Sequence, residues 1–214
     1  MAASFNFLLN AVEGVAYTTD PHGIITACGQ PGWDRALAQA GSAKGAEAHA
    51  VVGLSLLDFI AGRDVRETYR RHMAQLAEPG RRPRVFQYRC DTPDLTRVLR
   101  MAISALRGPD DALTGYLFQS VVVSVTDRVP ITLFAFPRPA DADRDLPFLG
   151  MCSYCQQVRF PAGCAEGHGT WMEAIDYYRH GGDNAVAISH GVCPTCFDTV
   201  VQDKLKASLV KREG

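Results

Sequence analysis

Short runs in which apolar and polar residues alternate recur through the first part of the chain. In "GVAYTTDPHGIIT", two β-prone runs flank the tetrapeptide Asp20-Pro21-His22-Gly23. Asp at the first position, Pro at the second and Gly at the fourth are residues that a type I turn favours. The stretch therefore predicts a β-hairpin.

A helical period replaces this alternation further along, in "VRETYRRHMAQL". The apolar positions recur at helical spacing, at Val65, Tyr69, Met73 and Leu76, and a Pro-Gly pair at positions 79 and 80 ends the pattern. One sizeable helix is predicted here. The Gly- and Ala-rich residues 29 to 50 that precede it predict short helices.

Three further alternating runs follow the predicted helix. They are "RVFQYRCD", "TRVLRMAISAL" and "YLFQSVVVSVTD", and the turn-forming stretches "DTPDL" and "GPDDALTG" separate them. They predict a three-stranded antiparallel meander. Two strands, short helices, a longer helix and three more strands make an α+β domain. One face of the later strands carries Phe86, Tyr88 and Cys90, and likewise Leu99, Met101 and Ile103.

Composition narrows the functional classes. Of the 214 residues, 47% are hydrophobic, which suffices for a buried core, and the net charge of −1 implies no general attraction to nucleic acid or anionic lipid. No run approaches the roughly 18 apolar residues that span a bilayer, so we expect a cytoplasmic protein without a membrane partner. In that reducing compartment, seven cysteines indicate metal ligands or redox thiols more than disulfides.

Four of the cysteines form two Cys-x-x-Cys pairs, in "MCSYC" and "GVCPTC". Cys152 and Cys155 make the first pair, and Cys193 and Cys196 make the second. Four thiolates surround Zn²⁺ tetrahedrally in closed structural sites, so the spacing predicts a structural zinc centre that supports folding and not catalysis. An iron–sulfur cluster and a redox dithiol remain the alternatives. His190 is a candidate for a hydrogen bond to one of the ligands.

The 37 residues between the two pairs predict a helix of their own. Thr170 and Glu173 have the spacing of a capping box, and glycines at 181 and 182 follow the last turn. Trp171, Ile175 and Tyr178 would then share one face of this helix.

A second helix is predicted to begin at the second cysteine pair. Pro194 suits a first helical position, and Phe197, Val201 and Leu205 follow four residues apart. Cys193 and Cys196 would lie in its first turn, where unpaired amides stabilise thiolates.

These motifs resemble two known families. "GVAYTTDPHGIIT", "VVGLSLLDFI" and the three closing strands resemble a PAS domain, which implies a five-stranded antiparallel sheet with flanking helices and a role in sensing or association. "CSYCQQVR" and "SHGVCPTC" resemble the treble-clef-like four-cysteine module found after PAS, GAF or receiver domains in bacterial signalling proteins. We therefore expect a PAS-like domain at 1–128, a Pro-rich linker at 129–147 and a zinc module at 148–214. "FPAGCAEGHG" departs from the module's pattern and leaves Cys164 and His168 without a role.

The PAS resemblance also implies a candidate interior pocket for an unidentified small ligand. Its predicted lining is Tyr69, Met73, Phe86, Tyr88, Leu99, Met101 and Ile103. The pocket would be mainly apolar, with Tyr69, Tyr88, Cys90 and His72 as polar groups. The alternative is a filled core with no ligand. His72 is the one histidine placed like the ligand of a haem-binding PAS helix, although a partly exposed helical histidine is the expected interpretation. Cys28 and Cys90 are expected to be small buried hydrophobes.

Together these features predict a non-enzymatic signalling protein that acts on another, unidentified polypeptide. A homodimer is expected through the PAS part, because Phe5, Leu8, Leu9 and Val12 share one face ahead of the first strand. Arg89 and Arg100 are candidates for a patch that binds a partner or an anion. The alternatives are a haem-based sensor and a transcriptional regulator that uses the zinc module and the tail "KLKASLVKREG", although no basic recognition helix supports nucleic-acid binding.

Overall fold

The computed structural model describes residues 2–40, 48–134, 146–159 and 169–202. It divides the chain into two compact units, residues 1–60 with 69–139 and residues 61–68 with 140–214. Among the described residues, no helix has the length and apolar character needed to cross a bilayer.

Residues 2 to 134 contain five strands and several helices. In chain order these are α1 (Ala2–Ala11), β1 (Val15–Thr19), β2 (Ile25–Cys28), α2 (Gln30–Ala40), α3 (Ala48–Val51), a 3₁₀ turn (Leu56–Phe59), α4 (Arg63–Ala77), β3 (Arg84–Arg89), β4 (Leu95–Arg107), β5 (Leu113–Asp127) and a second 3₁₀ turn (Thr132–Phe134). The strands form one antiparallel sheet in the order β2-β1-β5-β4-β3. This confirms the predicted PAS-like fold, a five-stranded antiparallel sheet with flanking helices.

The predicted hairpin joins β1 to β2. Asp20 Oδ1 accepts the backbone N–H groups of His22 and Ile24, both at 2.9 Å, and the Gly23 N–H donates to the Asp20 carbonyl. Gly23 has a φ of +86°, which glycine adopts without strain. The short Asp side chain and the glycine therefore fix this turn locally, as the sequence predicts.

Helix α4 is fastened to the sheet by two side chains of the strands. The Tyr116 hydroxyl donates to the Met73 carbonyl at 2.9 Å. At the end of α4, the Arg107 guanidinium donates to the Leu76 and Ala77 carbonyls at 3.3 and 2.7 Å. The last carbonyls of a helix lack partners within it, so Arg107 acts as their cap.

The β4–β5 ribbon extends beyond the rest of the sheet. β1 pairs with β5 only from Tyr116 to Ser120, whereas β4 pairs with it as far as Asp127 and carries a bulge at Val98. In this extension the valines at 122, 123 and 125 are half-exposed. Among the described residues, the part of β5 beyond Ser120 therefore pairs with β4 and has no strand on its other side.

Residues 146–159 and 169–202 form a smaller sheet with short helices. The elements are β6 (Phe148–Cys152), β7 (Val158–Arg159), β8 (Trp171–Met172), α5 (Ala174–Arg179), β9 (Ala187–Gly191), α6 (Pro194–Cys196) and a π-helical continuation (Phe197–Gln202). The strand order is β8-β7-β6-β9, and β6 runs parallel to β9.

The predicted capping box at Thr170 and Glu173 is wrong. Trp171 lies in β8 and pairs with Arg159 of β7, so the helix begins only at Ala174. Glu173 is the residue before its first turn and makes no side-chain capping bond. Ala174 and Tyr177 are the buried residues of this helix, whereas Ile175 and Tyr178 are only partly buried and Trp171 lies outside the helix.

The end of α5 agrees with the prediction. Gly181 follows the last turn with a φ of +82°, and its N–H donates to the Tyr178 carbonyl. The Tyr177 hydroxyl donates to the Asp183 carbonyl at 2.8 Å and accepts the Asp183 N–H at 3.0 Å. The loop after the helix is therefore held to the helix itself.

Candidate metal centre

Two segments of the C-terminal unit bring the four paired cysteines together. Cys152 is the last residue of β6 and is paired with Gly191, the last residue of β9. Because the two strands are parallel, the chain leaves both of them at the same edge. The turn that contains Cys155 and the helix start at Cys193 therefore face each other.

The local structure around the second pair matches the prediction. Cys193 is the N-cap residue of α6, Pro194 occupies the first turn, and Cys196 ends the helix. The Cys193 Sγ accepts the Cys196 backbone N–H at 3.4 Å. Val201 is buried and Phe197 is exposed, and Leu205 lies outside the described residues.

The four sulfurs have the spacing that a tetrahedral metal site requires. They all lie within 4.8 Å of one another, and the Cys155 and Cys193 sulfurs are 3.7 Å apart. Zn–S bonds of about 2.3 Å in a tetrahedron place neighbouring sulfurs about 3.8 Å apart. The Cys193 N–H also donates to the Cys152 Sγ at 3.4 Å, as expected for a thiolate ligand. The donor set fits Zn²⁺, and no fifth group is needed to close it.

The short distances between the four sulfurs also shift the pKa values of the thiols. Hydrogen bonds from Cys155 and then Cys196 lower the pKa of Cys152. The hydrogen bond with Cys152 is in turn the largest cause that raises the pKa of Cys155 and that of Cys196. In the absence of a cation, ionisation of Cys152 therefore makes ionisation of Cys155 and Cys196 less favourable. A divalent cation removes this conflict because it attracts all four sulfurs.

The sequence singles out three other residues of this unit, and the structure describes one of them. His190 lies on β9 with an exposed side chain, and within the described residues its ring makes no hydrogen bond to a cysteine. Cys164 and His168 lie outside the described residues.

The predicted pocket residues come together in the N-terminal unit. Phe86 pairs with Met101 and Tyr88 with Leu99, and Phe86, Met101 and Ile103 are buried. Tyr69 of α4 lies across from them, with its ring centroid 6.5 Å from that of Phe86. The space between α4 and these strands also contains side chains that were not among the predicted pocket residues.

The missed residues lie on the paired strands β1 and β5. The Phe118 ring stacks on Tyr17 at 4.9 Å and on Tyr69 at 6.4 Å. The Tyr88 hydroxyl shares a 2.7 Å hydrogen bond with Ser120, and burial raises the pKa of Tyr88 to about 12. Alternation along "VAYTT" and "YLFQS" was the available signal, but it does not say which of the two faces is the inner one.

Two polar groups of the predicted pocket are placed differently from expectation. His72 is only 2% exposed and lies 5.8 Å from the Phe86 ring, so the expectation of partial exposure is wrong. Cys90 follows the end of β3 and is half-buried, so it is not the buried hydrophobe expected, and its sulfur lies 3.5 Å from the Arg97 guanidinium. Cys28 is buried as predicted, and desolvation raises its pKa to about 12.

No protein-family model and no curated protein sequence matches the chain. Among solved structures, the PAS domain of Bordetella pertussis BvgS is 15% identical with a TM-score of 0.44, covering 57% of this chain and 85% of that one. The Aer2 receptor of Vibrio cholerae, described as a dual PAS-haem oxygen sensor, is 20% identical with a TM-score of 0.35, covering 51% and 94%.

A third neighbour is the phage VqmA-DPO complex. It is 18% identical with a TM-score of 0.42, and the match covers 57% of this chain but only 52% of VqmA. The chain thus spans about half the length of that protein. Since these TM-scores are low, the strand order β2-β1-β5-β4-β3 defines the fold without them.

Proposed function

We propose that the chain is a non-enzymatic, cytoplasmic regulatory protein. Its PAS-like unit associates with a partner or senses a ligand, and one Zn²⁺ held by Cys152, Cys155, Cys193 and Cys196 stabilises its C-terminal unit. The observation that carries the proposal is the convergence of four sulfurs within 4.8 Å from two distant segments. When bound, the ion supplies a structural crosslink, because four thiolates leave no open position for a substrate.

Metal analysis combined with an absorption spectrum of the purified protein tests this centre. We expect one zinc per chain, no visible absorption band, and loss of the metal in Cys193→Ser. Cys28→Ser is the matched control, because Cys28 is also a buried cysteine but lies outside the cluster. Stoichiometric iron with visible absorption, or full zinc occupancy in Cys193→Ser, contradicts the assignment.

For the PAS-like unit, the packed interior supports association over sensing. The Phe118 ring stacks on Tyr17 and Tyr69, and Tyr69 meets Phe86 edge-on, so aromatic side chains fill the side of the sheet that faces α4 and leave little room for a ligand. Exposed apolar side chains on the surface instead suit a partner.

The proposed partner is a second copy, through α1. Phe7 and Leu8 are 75% and 59% exposed, whereas Leu9 is 4% exposed, so Leu8 and Leu9 do not share one outward face as predicted. Val12 is half-buried, and the side chain of Phe5 is outside the described residues. Phe7 and Leu8 are therefore the exposed apolar residues of α1 that we expect to contact the second copy.

Light scattering at tens of micromolar tests the dimer. We expect a dimer for the natural chain and a monomer for Phe7→Ser with Leu8→Ser, with unchanged thermal unfolding because both side chains are exposed. Gln87→Ser is a control with an exposed side chain on β3, at the opposite edge of the sheet from β2. A natural chain that is monomeric contradicts the proposal.

A second candidate function, ligand sensing, is favoured by the polar groups in the interior. His72 is buried, and the hydroxyls of Tyr88 and Ser120 meet among the aromatic rings. Native mass spectrometry of protein from its own cells, with an absorption spectrum for haem, tests it. A specific bound molecule that Met101→Trp displaces supports sensing, and a haem band that His72→Ala abolishes supports a haem ligand. With neither, association is the function of this unit.

A further inference from the structure

The four clustered cysteines differ in their access to solvent. Cys152, Cys193 and Cys196 are buried, at 0%, 1% and 8% exposure, whereas Cys155 is only partly buried. An oxidant in solution must reach a sulfur before it can react with it, and susceptibility follows thiolate character and exposure. Cys155 is therefore the residue of the cluster that is most exposed to an oxidant in solution.

One of the sulfurs close to that of Cys155 lies on the other segment. The Cys155 sulfur is 3.7 Å from that of Cys193, which is 38 residues away along the chain. Cys193 Sγ is held in place by the N–H of Cys196, and Cys152 Sγ by the N–H of Cys193. The geometry thus offers an oxidised Cys155 a partner across the two segments, and not only its own Cys-x-x-Cys neighbour.

We propose that Cys155 is an oxidation site whose reaction joins it to Cys193 and releases the metal. This inference rests on the four-thiolate centre proposed above. The oxidant is a peroxide, such as hydrogen peroxide. The Cys155 thiolate attacks the O–O bond, which gives a sulfenic acid and hydroxide, and the Cys193 thiolate then displaces the second hydroxide.

Two thiolates, one hydrogen peroxide and two protons thereby become one disulfide and two waters. The two sulfurs lose two electrons and the peroxide gains them. Only Cys152 and Cys196 remain as ligands, and two thiolates hold Zn²⁺ much more weakly than four. The disulfide crosslinks the same two segments that the metal held, so the oxidised, metal-free chain keeps its connection between β6 and α6.

The test uses the full chain, with its metal content measured before any oxidant is added. One equivalent of hydrogen peroxide is added without oxygen, a chromogenic chelator follows zinc release, and peptide mass spectrometry maps disulfides. We expect one zinc released per chain and a Cys155–Cys193 link. Linkage within either Cys-x-x-Cys pair, or zinc that resists excess peroxide, overturns the inference and leaves the metal centre standing.

Two matched variants test whether the solvent exposure of Cys155, and not the general reactivity of the cluster with peroxide, controls zinc release. Cys155→His keeps a zinc-binding Cys₃His set but removes the most exposed cysteine of the cluster, and we expect zinc release to be roughly tenfold slower. Cys152→His changes a buried ligand and should release zinc at nearly the natural rate, so equal rates for the two variants overturn the proposal. If the reduced natural chain binds no metal, the proposed centre fails, and the disulfide map of that metal-free chain still decides whether Cys155 pairs with Cys193.

Discussion

Asp91 ties three stretches of the N-terminal unit together through its carboxylate. Its side chain is fully buried, and it accepts the Arg97 backbone N–H at 3.1 Å. It forms ion pairs with Arg89 and with Arg128, the latter at 2.7 Å. Arg128 also donates to the Pro93 carbonyl and lies over the Phe134 ring. Arg89, a predicted partner-binding residue, thus serves an internal contact.

Replacing Asp91 should therefore destabilise the N-terminal unit. Asp91→Ala leaves two partly buried guanidinium groups without their carboxylate, and we expect a loss of about 3 kcal/mol in the free energy of unfolding. Chemical denaturation monitored by circular dichroism measures it. Asp94→Ala removes an exposed carboxylate from the same turn and should cost less than about 1 kcal/mol. Equal losses in the two variants contradict this role.

Tyr88 gives the unit a predictable response to alkaline pH. Burial raises the pKa of folded Tyr88 to about 12 from the ordinary tyrosine value of 10.0, so the unfolded chain loses its proton first as the pH rises. The stability that neutral Tyr88 contributes is complete below pH 10 and is lost between about pH 10 and 12.

Tyr88→Phe removes this contribution. We expect it to cost about 1 kcal/mol at neutral pH, because the hydrogen bond to Ser120 is lost, and to flatten the fall in stability above pH 10. Unfolding curves measured across this pH range compare the two chains. A variant whose stability falls as steeply as that of the natural chain means that other groups dominate.

At the scale of elements, the C-terminal end of α4 depends on a residue of β4. Arg107 donates to two of the last carbonyls of α4 and also to the Asp111 carbonyl of the following turn. Its side chain therefore connects the helix, the strand and the β4–β5 turn. Sequence periodicity locates the helix but gives no sign of this cap.

Arg107→Ala should destabilise α4 by about 1 to 2 kcal/mol, because the terminal carbonyls lose their partner. Hydrogen exchange of the amides near the end of α4 should increase, while that of β1 stays unchanged. Arg100→Ala is the matched control, since Arg100 lies on the same strand with an exposed side chain. A uniform rise in exchange over the whole unit contradicts a local cap.

At the scale of the whole molecule, the two units should respond differently to metal removal. In small zinc modules the binding free energy, on the order of 10 kcal/mol, is largely folding free energy. Chelation should therefore unfold the C-terminal unit, whose described residues form a small core, while the five-stranded sheet stays folded.

Tryptophan fluorescence and hydrogen exchange can follow the unfolding of each unit separately, because Trp171 lies in the C-terminal unit and Trp33 in the N-terminal one. The variants Trp171→Phe and Trp33→Phe isolate each signal. Simultaneous loss of protection in both units on chelation contradicts independent folding.

Local signals in the sequence determined the hairpin turn at Asp20 and Gly23, the period of α4, the meander of β3 to β5 and the spacing of the four cysteines. These depend on residues close together in the chain, and their physical causes, turn chemistry and side-chain period, act at short range.

Only the tertiary structure decided the rest. Trp171 forms a strand because β7 is beside it, His72 is buried because Phe86 lies against it, and Cys155 faces Cys193 because β6 and β9 are parallel. In each case the deciding neighbour is distant in sequence, and burial and strand pairing depend on that neighbour more than on local propensity.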